Sequence, residues 1–361
     1  MSPRSEGSPT LQRAFTRLAG FTLLFLALSG AGTYVVHDQV AGRGVALDPA
    51  LLSLPVVSAV GGLLLVYFTA DGLRLYFTLR ALGHHLPLRA IARLVFINLF
   101  FSNVTPMATG GGLAQIWYLR RRGVPLGRAT AATTIRTVLA MIFIFSTAPA
   151  FLFAGSGLRG VPSDAPLALS ISLMVSGYAL FFAVVLLRPR WLAMAVTGGV
   201  RGLRVFRLIN EQRAQRWRFA GKRELLTFAR SFGRYLSGPR VDVALSIVFT
   251  VLFLVSLFSF PALLLWGLDY EIPYLQILGL LVVTTFVMYF APTPGASGIA
   301  EGAFGYAFAG LVAGGHLVLV TLAWRFLTVY LGMLVGVAVT LREVALPVAA
   351  GPTAAYPARS R

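Results

Sequence analysis

Three charged side chains stand inside long hydrophobic stretches of this sequence: Arg136, Glu301 and Arg325. Ionisable groups at membrane depth are costly, and each is a functional candidate by default. A guanidinium presents a planar fork of donors that suits a phosphodiester, so Arg136 and Arg325 are candidates for holding phosphate. Snorkelling to the interface is the plain alternative for both. Glu301 has three readings. It receives a cationic head such as a lysyl amine, exchanges a proton, or forms a structural pair with Arg325 or Arg136, since an unpaired charge there is expensive.

The acid follows directly on a broken stretch, Pro292-Thr293-Pro294-Gly295-Ala296-Ser297-Gly298-Ile299-Ala300-Glu301-Gly302. Proline removes a backbone donor and glycine weakens helix interiors, so no straight spanning helix runs through it. Irregular backbone at membrane depth is tolerated where protein or a watery cavity satisfies its amides. A second such break lies earlier. Thr105-Pro106-Met107-Ala108-Thr109-Gly110 matches Thr293-Pro294-Gly295-Ala296-Ser297-Gly298 apart from Met for Gly and Thr for Ser. Arg136 follows Pro106 by 30 residues and Arg325 follows Pro294 by 31. The half-helix starting after each break is expected to offer free amides and a positive dipole end to an anion. Thr105, Gly110, Gly111, Gly112, Gln115, Thr293, Gly295, Ser297 and Gly298 therefore join the candidate binding set. The three consecutive glycines permit close backbone approach; tight packing by small residues explains them equally well. Gln115 and Asn103 line the same cavity or cap freed carbonyls. Asp71 and Arg74 read as an interfacial ion pair without a transport role.

The elements that must position these residues are membrane helices. The 361 residues are 57% hydrophobic and 12% charged, with mean hydropathy +0.79, against about 25% charged in soluble domains. Cysteine is absent, and the four histidines show no metal-ligand spacing beyond one adjacent pair. No nucleophile–base pair, phosphate loop or cofactor motif is visible, so an enzyme is not expected. The formal charge of +19 reads as basic cytoplasmic loops facing anionic lipid heads and not as a nucleic-acid surface.

Apolar stretches fall near 18–36, 51–70, 90–104, 129–154, 167–187, 242–267, 274–290, 299–314 and 317–341. The first is read as an uncleaved helix behind a short polar tail. Residues 188–240 hold thirteen Arg or Lys against Glu211 and Glu224, which places this insert in the cytoplasm. It is expected to lie on the anionic inner leaflet as amphipathic helices, with a solvated basic loop as the alternative. Arg74 to Arg93, Arg120 to Arg122 and the Arg342 tail read as inside too, and the loops around Asp38–Asp48, Ser156–Pro166 and Asp269–Glu271 as outside. Residues 94–119 and 274–315 must then each enter and return on one face. The expectation is an all-α polytopic protein with six full spans and two opposed re-entrant helical hairpins. Repeat one covers about 18–154 and repeat two about 167–341, in inverted topology, flanked by cytoplasmic tails 1–17 and 344–361. Inverted repeats whose broken helices meet at the midplane are transporter architecture.

The string Asn98-Leu99-Phe100-Phe101-Ser102-Asn103-Val104-Thr105-Pro106 through Gly112, with Gln115, Tyr118-Leu119 and Gly123, and the second element from Pro292 to Gly298 with Glu301-Gly302-Ala303-Phe304 and Trp324-Arg325, resemble one known family. It is the transmembrane domain of the lysylphosphatidylglycerol synthases, a flippase-like membrane family. The resemblance runs from about 15 to 343. It implies a flippase that moves aminoacylated phosphatidylglycerol to the outer leaflet, followed in bifunctional members by a soluble aminoacyl-transferase domain. The sequence ends at Arg361 without such a domain, so a stand-alone member is expected, with lysyl transfer out of reach. Stand-alone relatives are associated with envelope lipids or polyprenyl-linked sugars.

The expected function is an inner-membrane lipid flippase or head-group transporter for an anionic or aminoacylated phospholipid, or a polyprenyl-linked lipid. The alternative is a non-transporting scaffold or accessory subunit that presents 188–240 to a lipid-synthesis enzyme. Coupling would come from protons, the membrane potential, or nothing, because no nucleotide-binding motif is present.

Overall fold

A computed structural model describes residues 48–154 and 232–345, with a few isolated positions outside these ranges. The expected spans at 18–36 and 167–187, most of the basic insert 188–240 and both tails lie outside the described residues. Among those described the fold is entirely helical, with no strand. A 3₁₀ turn, Pro49–Leu52, leads into α1 (Leu54–Ala81). Then come α2 (Leu88–Val104), α3 (Thr109–Arg121), α4 (Leu126–Ala154), α5 (Arg240–Gly267), α6 (Tyr274–Met288) and α7 (Ile299–Phe308). The chain ends in α8 (Gly314–Arg325), a π turn at Phe326–Tyr330, and α9 (Leu331–Ala345).

Among the described residues four helical runs are long and apolar enough to cross a bilayer: Leu54–Ala81, Leu126–Ala148, Arg240–Gly267 and Gly314–Val344. A span needs about 20 apolar residues at 1.5 Å each, so α2, α3, α6 and α7 are too short to cross alone. Their shortness is set by the breaks, where proline and glycine interrupt otherwise continuous apolar sequence.

Side-chain contacts sort the helix ends into two groups. At one end, Arg80 of α1 pairs with Asp242 of α5 at 3.2 Å. Arg93 of α2 and Arg122, just past α3, both donate to Glu343 of α9, at 2.8 and 2.9 Å. This end is basic. His84 lies there with Nε2 2.7 Å from Arg128 Nη1, and partial burial together with the charges of Arg128 and His85 holds its imidazole below the usual range. At the other end, Tyr270 hydrogen-bonds His316 Nδ1 at 3.0 Å, and His316 Nε2 reaches Asp48 at 3.4 Å. The pair α2–α3 thus opens at the basic end, and α6–α7 opens at the acidic end that carries Asp48, Asp269 and Glu271.

α1 lies antiparallel along α5, its start against Gly267 and its end against Gly238, just ahead of α5. Tyr67 stacks on Phe253 with ring centroids 5.1 Å apart, and Phe77 on Phe249 at 5.5 Å. α2 is seated just as closely on α9. A Cβ at Gly336 would come within 2.3 Å of the Phe96 carbonyl oxygen, and one at Gly332 within 2.8 Å of Leu99. Two small residues one turn apart let helix backbones approach in this way.

These contacts predict opposite outcomes for two glycine-to-alanine changes. Gly336→Ala forces α2 off α9 and is expected to cost roughly 1–3 kcal/mol or more. Gly302→Ala, which meets nothing within 4 Å, is expected to be neutral or to stabilise α7 by about 0.5–1 kcal/mol. Thermal unfolding of both variants in one detergent checks the pair.

Candidate functional site

The two breaks meet. Pro106 and Pro294 form an isolated antiparallel bridge between the tips of α2–α3 and α6–α7. Neither proline has an N–H to give, so the flanking residues carry the pairing. The backbone makes the same left-handed turn at matching positions of both tips, then diverges, since Gly298 has φ 81° where Gly110 is already helical. Met107 and Ala108 have φ of 52° and 53°, and their counterparts Gly295 and Ala296 have 56° and 55°. Left-handed conformation costs an L-residue about 1–2 kcal/mol, so three non-glycine residues hold it here against local preference. Tertiary contacts must enforce it.

The enforcement at the second tip is visible. Arg325, 2% exposed, donates through Nη2 to the Gly295 carbonyl at 2.9 Å and sets Nε 2.8 Å from Glu301 Oε1. Glu301, 1% exposed, accepts from the Gly298 amide through Oε2 at 2.7 Å. Of the three readings of Glu301, the pair with Arg325 is the one these contacts build. It closes a neutral ring around the break and caps α7, placing a negative charge at the positive dipole end. Thr293 Oγ1 donates to the Ser297 carbonyl, and Ser297 Oγ to that of Pro294.

At the first tip the amides also turn inward. Gly110 N–H donates to Thr105 Oγ1 at 2.8 Å and Gly111 N–H to the Ala108 carbonyl at 3.3 Å, while Thr105 Oγ1 donates to the Phe101 carbonyl. The expected free amides at Gly110, Gly111 and Gly298 are therefore already engaged. Gly110 and Gly111 are required by packing. A Cβ on Gly111 would overlap Ser102 Oγ at 1.8 Å, and one on Gly110 would meet Thr105 at 2.5 Å. Gly112 is less confined, 3.6 Å from Thr133. Gln115 is buried and donates to Asn98 Oδ1, binding α3 to α2, and Asn103 donates to the Leu99 carbonyl. Asn103 thus satisfies a helix carbonyl, whereas Gln115 donates to a side chain and its Oε1 has no partner among the described residues.

Arg136 has a different setting. It is 5% exposed on α4 and donates through Nη2 to Asp71 Oδ1 of α1. Arg74, one turn beyond Asp71, donates to the same oxygen through Nε at 2.8 Å and lies over the Phe253 ring at 3.8 Å. Asp71 is 1% exposed and Arg74 7%. The Asp71–Arg74 pair expected from the sequence is present, and it is buried and shared with Arg136. Two cations converge on one carboxylate oxygen, while Asp71 Oδ2 and Arg136 Nε have no hydrogen-bond partner among the described residues. The cluster lies near the first break: Arg136 is one turn along α4 from Thr133, which packs on Gly112.

Sequence reasoning paired Asp71 with Arg74 but missed Arg136 as their shared partner, because apolar counting ended the second stretch at residue 70. The signal was their i, i+3 spacing on a helix that runs to Ala81. No group of three metal-ligating side chains is found among the described residues.

The chain is 22% identical over 256 residues to a UPF0104 membrane protein of Archaeoglobus fulgidus, covering 71% of this chain and 76% of that one. Residues 20–336, which take in both breaks, the Asp71 cluster and the Glu301–Arg325 pair, match the family described as the lysylphosphatidylglycerol synthase TM region. The chain is a membrane protein that belongs to the lysylphosphatidylglycerol synthase TM region family.

Proposed function

We propose that this protein moves a lipid head group between leaflets, in keeping with the lipid-related membrane role its family suggests. The observation that carries the reading is the buried Asp71–Arg74–Arg136 cluster, in which Arg136 stands one turn from Thr133, the residue packed on Gly112 just past the first break. A head group crossing hydrocarbon needs a fixed countercharge at mid-depth, and arginine is the side chain best shaped for phosphate. The cargo is an anionic or aminoacylated phospholipid or a polyprenyl-linked lipid. The scaffold alternative gives the buried cations no task.

In this reading α2–α3 and α6–α7 are re-entrant hairpins from opposite faces of a plasma membrane, with the basic end cytoplasmic. Matched φ values at the two tips and the bridge between equivalent prolines support an inverted repeat, with its site where the breaks meet. The two arginines then have different work: Arg136 serves the cargo, and Arg325 holds the second break in shape.

Translocation of fluorescent phosphatidylglycerol in proteoliposomes, read by reduction of outer-leaflet probe, tests the proposal. Wild-type protein should move the lipid, and Arg136→Gln should abolish movement while keeping the fold, because Asp71 retains Arg74. Wild-type vesicles no faster than protein-free ones would sink the idea. Arg325→Gln should instead lose stability, by about 3–5 kcal/mol, because it strands the buried Glu301.

Topology has its own check, helped by the absence of cysteine. Single cysteines at His85 and Arg120 should both react with an impermeant thiol reagent only from the cytoplasm. Those at Glu271 and Gly310 should both react only from outside. Labelling of either pair from opposite faces would refute the hairpins.

A further inference from the structure

The Asp71 cluster does not balance its charge. Arg74 and Arg136 bring two positive charges, and among the described residues Asp71 is the single carboxylate that either guanidinium contacts. The phenols of Tyr67 and Tyr289 nearby are neutral at physiological pH. The carbonyl end of α6 supplies at most about half a negative charge. A surplus cation is therefore held where solvation is poor, which is expensive unless an anion completes the site.

The other buried carboxylates among the described residues are already engaged. Glu301 uses one oxygen for Arg325 and the other for the Gly298 amide. Asp242 pairs with Arg80, and Glu343 with Arg93 and Arg122, at the basic end of the bundle. Among the described residues every buried acid already faces at least one guanidinium, so none is left without a cation to balance an ammonium group. The unpartnered atoms of the cluster, Asp71 Oδ2 and Arg136 Nε, are at the surplus charge itself.

From this imbalance we infer that the cluster takes a head group of one net negative charge, a phosphodiester monoanion, and discriminates against aminoacylated heads. The inference rests on the lipid-handling reading above and narrows its cargo. A phosphatidylglycerol head brings one negative charge and leaves the site near neutrality. A lysylated one brings two ammonium groups besides its phosphate, and those two cations find no acid. A zwitterionic head leaves the surplus standing.

Competition in phosphatidylcholine nanodiscs against a fluorescent short-chain phosphatidylglycerol tests this without requiring transport. Phosphatidylglycerol should displace the probe at least about tenfold more effectively than lysyl-phosphatidylglycerol or added phosphatidylcholine, a difference of about 1.4 kcal/mol. Arg74→Gln and Arg136→Gln each remove the surplus, and either should bring the three lipids to within about twofold of one another. Lysyl-phosphatidylglycerol competing as well as phosphatidylglycerol on the wild-type protein overturns the inference, whether or not the variants fold. So does an unchanged ranking in a folded variant. Glycerophosphoglycerol, the same head without acyl chains, separates the sources. Competition equal to the lipid's would keep the charge class and overturn the lipid as its source. The same lipids in proteoliposomes separate the two readings. Selective binding without movement retires transport alone, and movement of all three lipids at one rate, with no binding preference, retires the charge selectivity alone.

Discussion

Backbone that leaves the helix inside an apolar protein has to find new hydrogen-bond partners, and most of the structure around the breaks answers that demand. The Thr105 and Ser297 hydroxyls, the Glu301 carboxylate and the Arg325 guanidinium each take over a group that a continuous helix would have satisfied. The bridge between Pro106 and Pro294 joins the two repaired tips. Once the tips are fixed, the short helices have fixed directions, and the longer ones pack around them.

The two arginines that the sequence sets at matching distances from the breaks are not equivalent in their surroundings. Arg325 takes its carboxylate from its own break, through Glu301. The position that matches Glu301 on the first break's spacing is Leu113, which is exposed. Arg136 instead borrows Asp71 from α1 and shares it with Arg74. One half of the protein thus closes its charge within itself, while the other leaves a cation over. If the halves descend from one repeated unit, this asymmetry is where they have diverged most in chemistry.

Much of this was legible in the sequence. Hydropathy marked the membrane helices, and Thr-Pro-x-Ala-Thr/Ser-Gly marked both breaks, down to residues that share a left-handed backbone. The Glu301–Arg325 pair was one of three open readings because a buried acid needs a cation, but one-dimensional spacing cannot choose between two arginines. The triple glycine was harder. Glycine at a helix start serves an anion or a neighbouring helix equally well, and only the positions of Ser102, Asn98 and Thr105 decide for packing at Gly110 and Gly111. The share of Arg136 in the Asp71–Arg74 pair was missed for a related reason. A charge looks like the end of an apolar run when its partner, here Arg136, lies 65 residues away.

The seating of α2 on α9 bears on how the protein is made. Phe96 and Leu99 of α2 need Gly336 and Gly332, and Arg93 and Arg122 need Glu343, all from the last helix. α1 likewise needs α5, more than 150 residues further along. During synthesis the first broken pair must wait in the translocation machinery or in lipid with its neighbours missing, until nearly the whole chain has emerged. Assembly is completed from the C-terminal end, and a chain truncated before residue 330 would carry both breaks and all three cluster residues without the surface that holds the first pair in place.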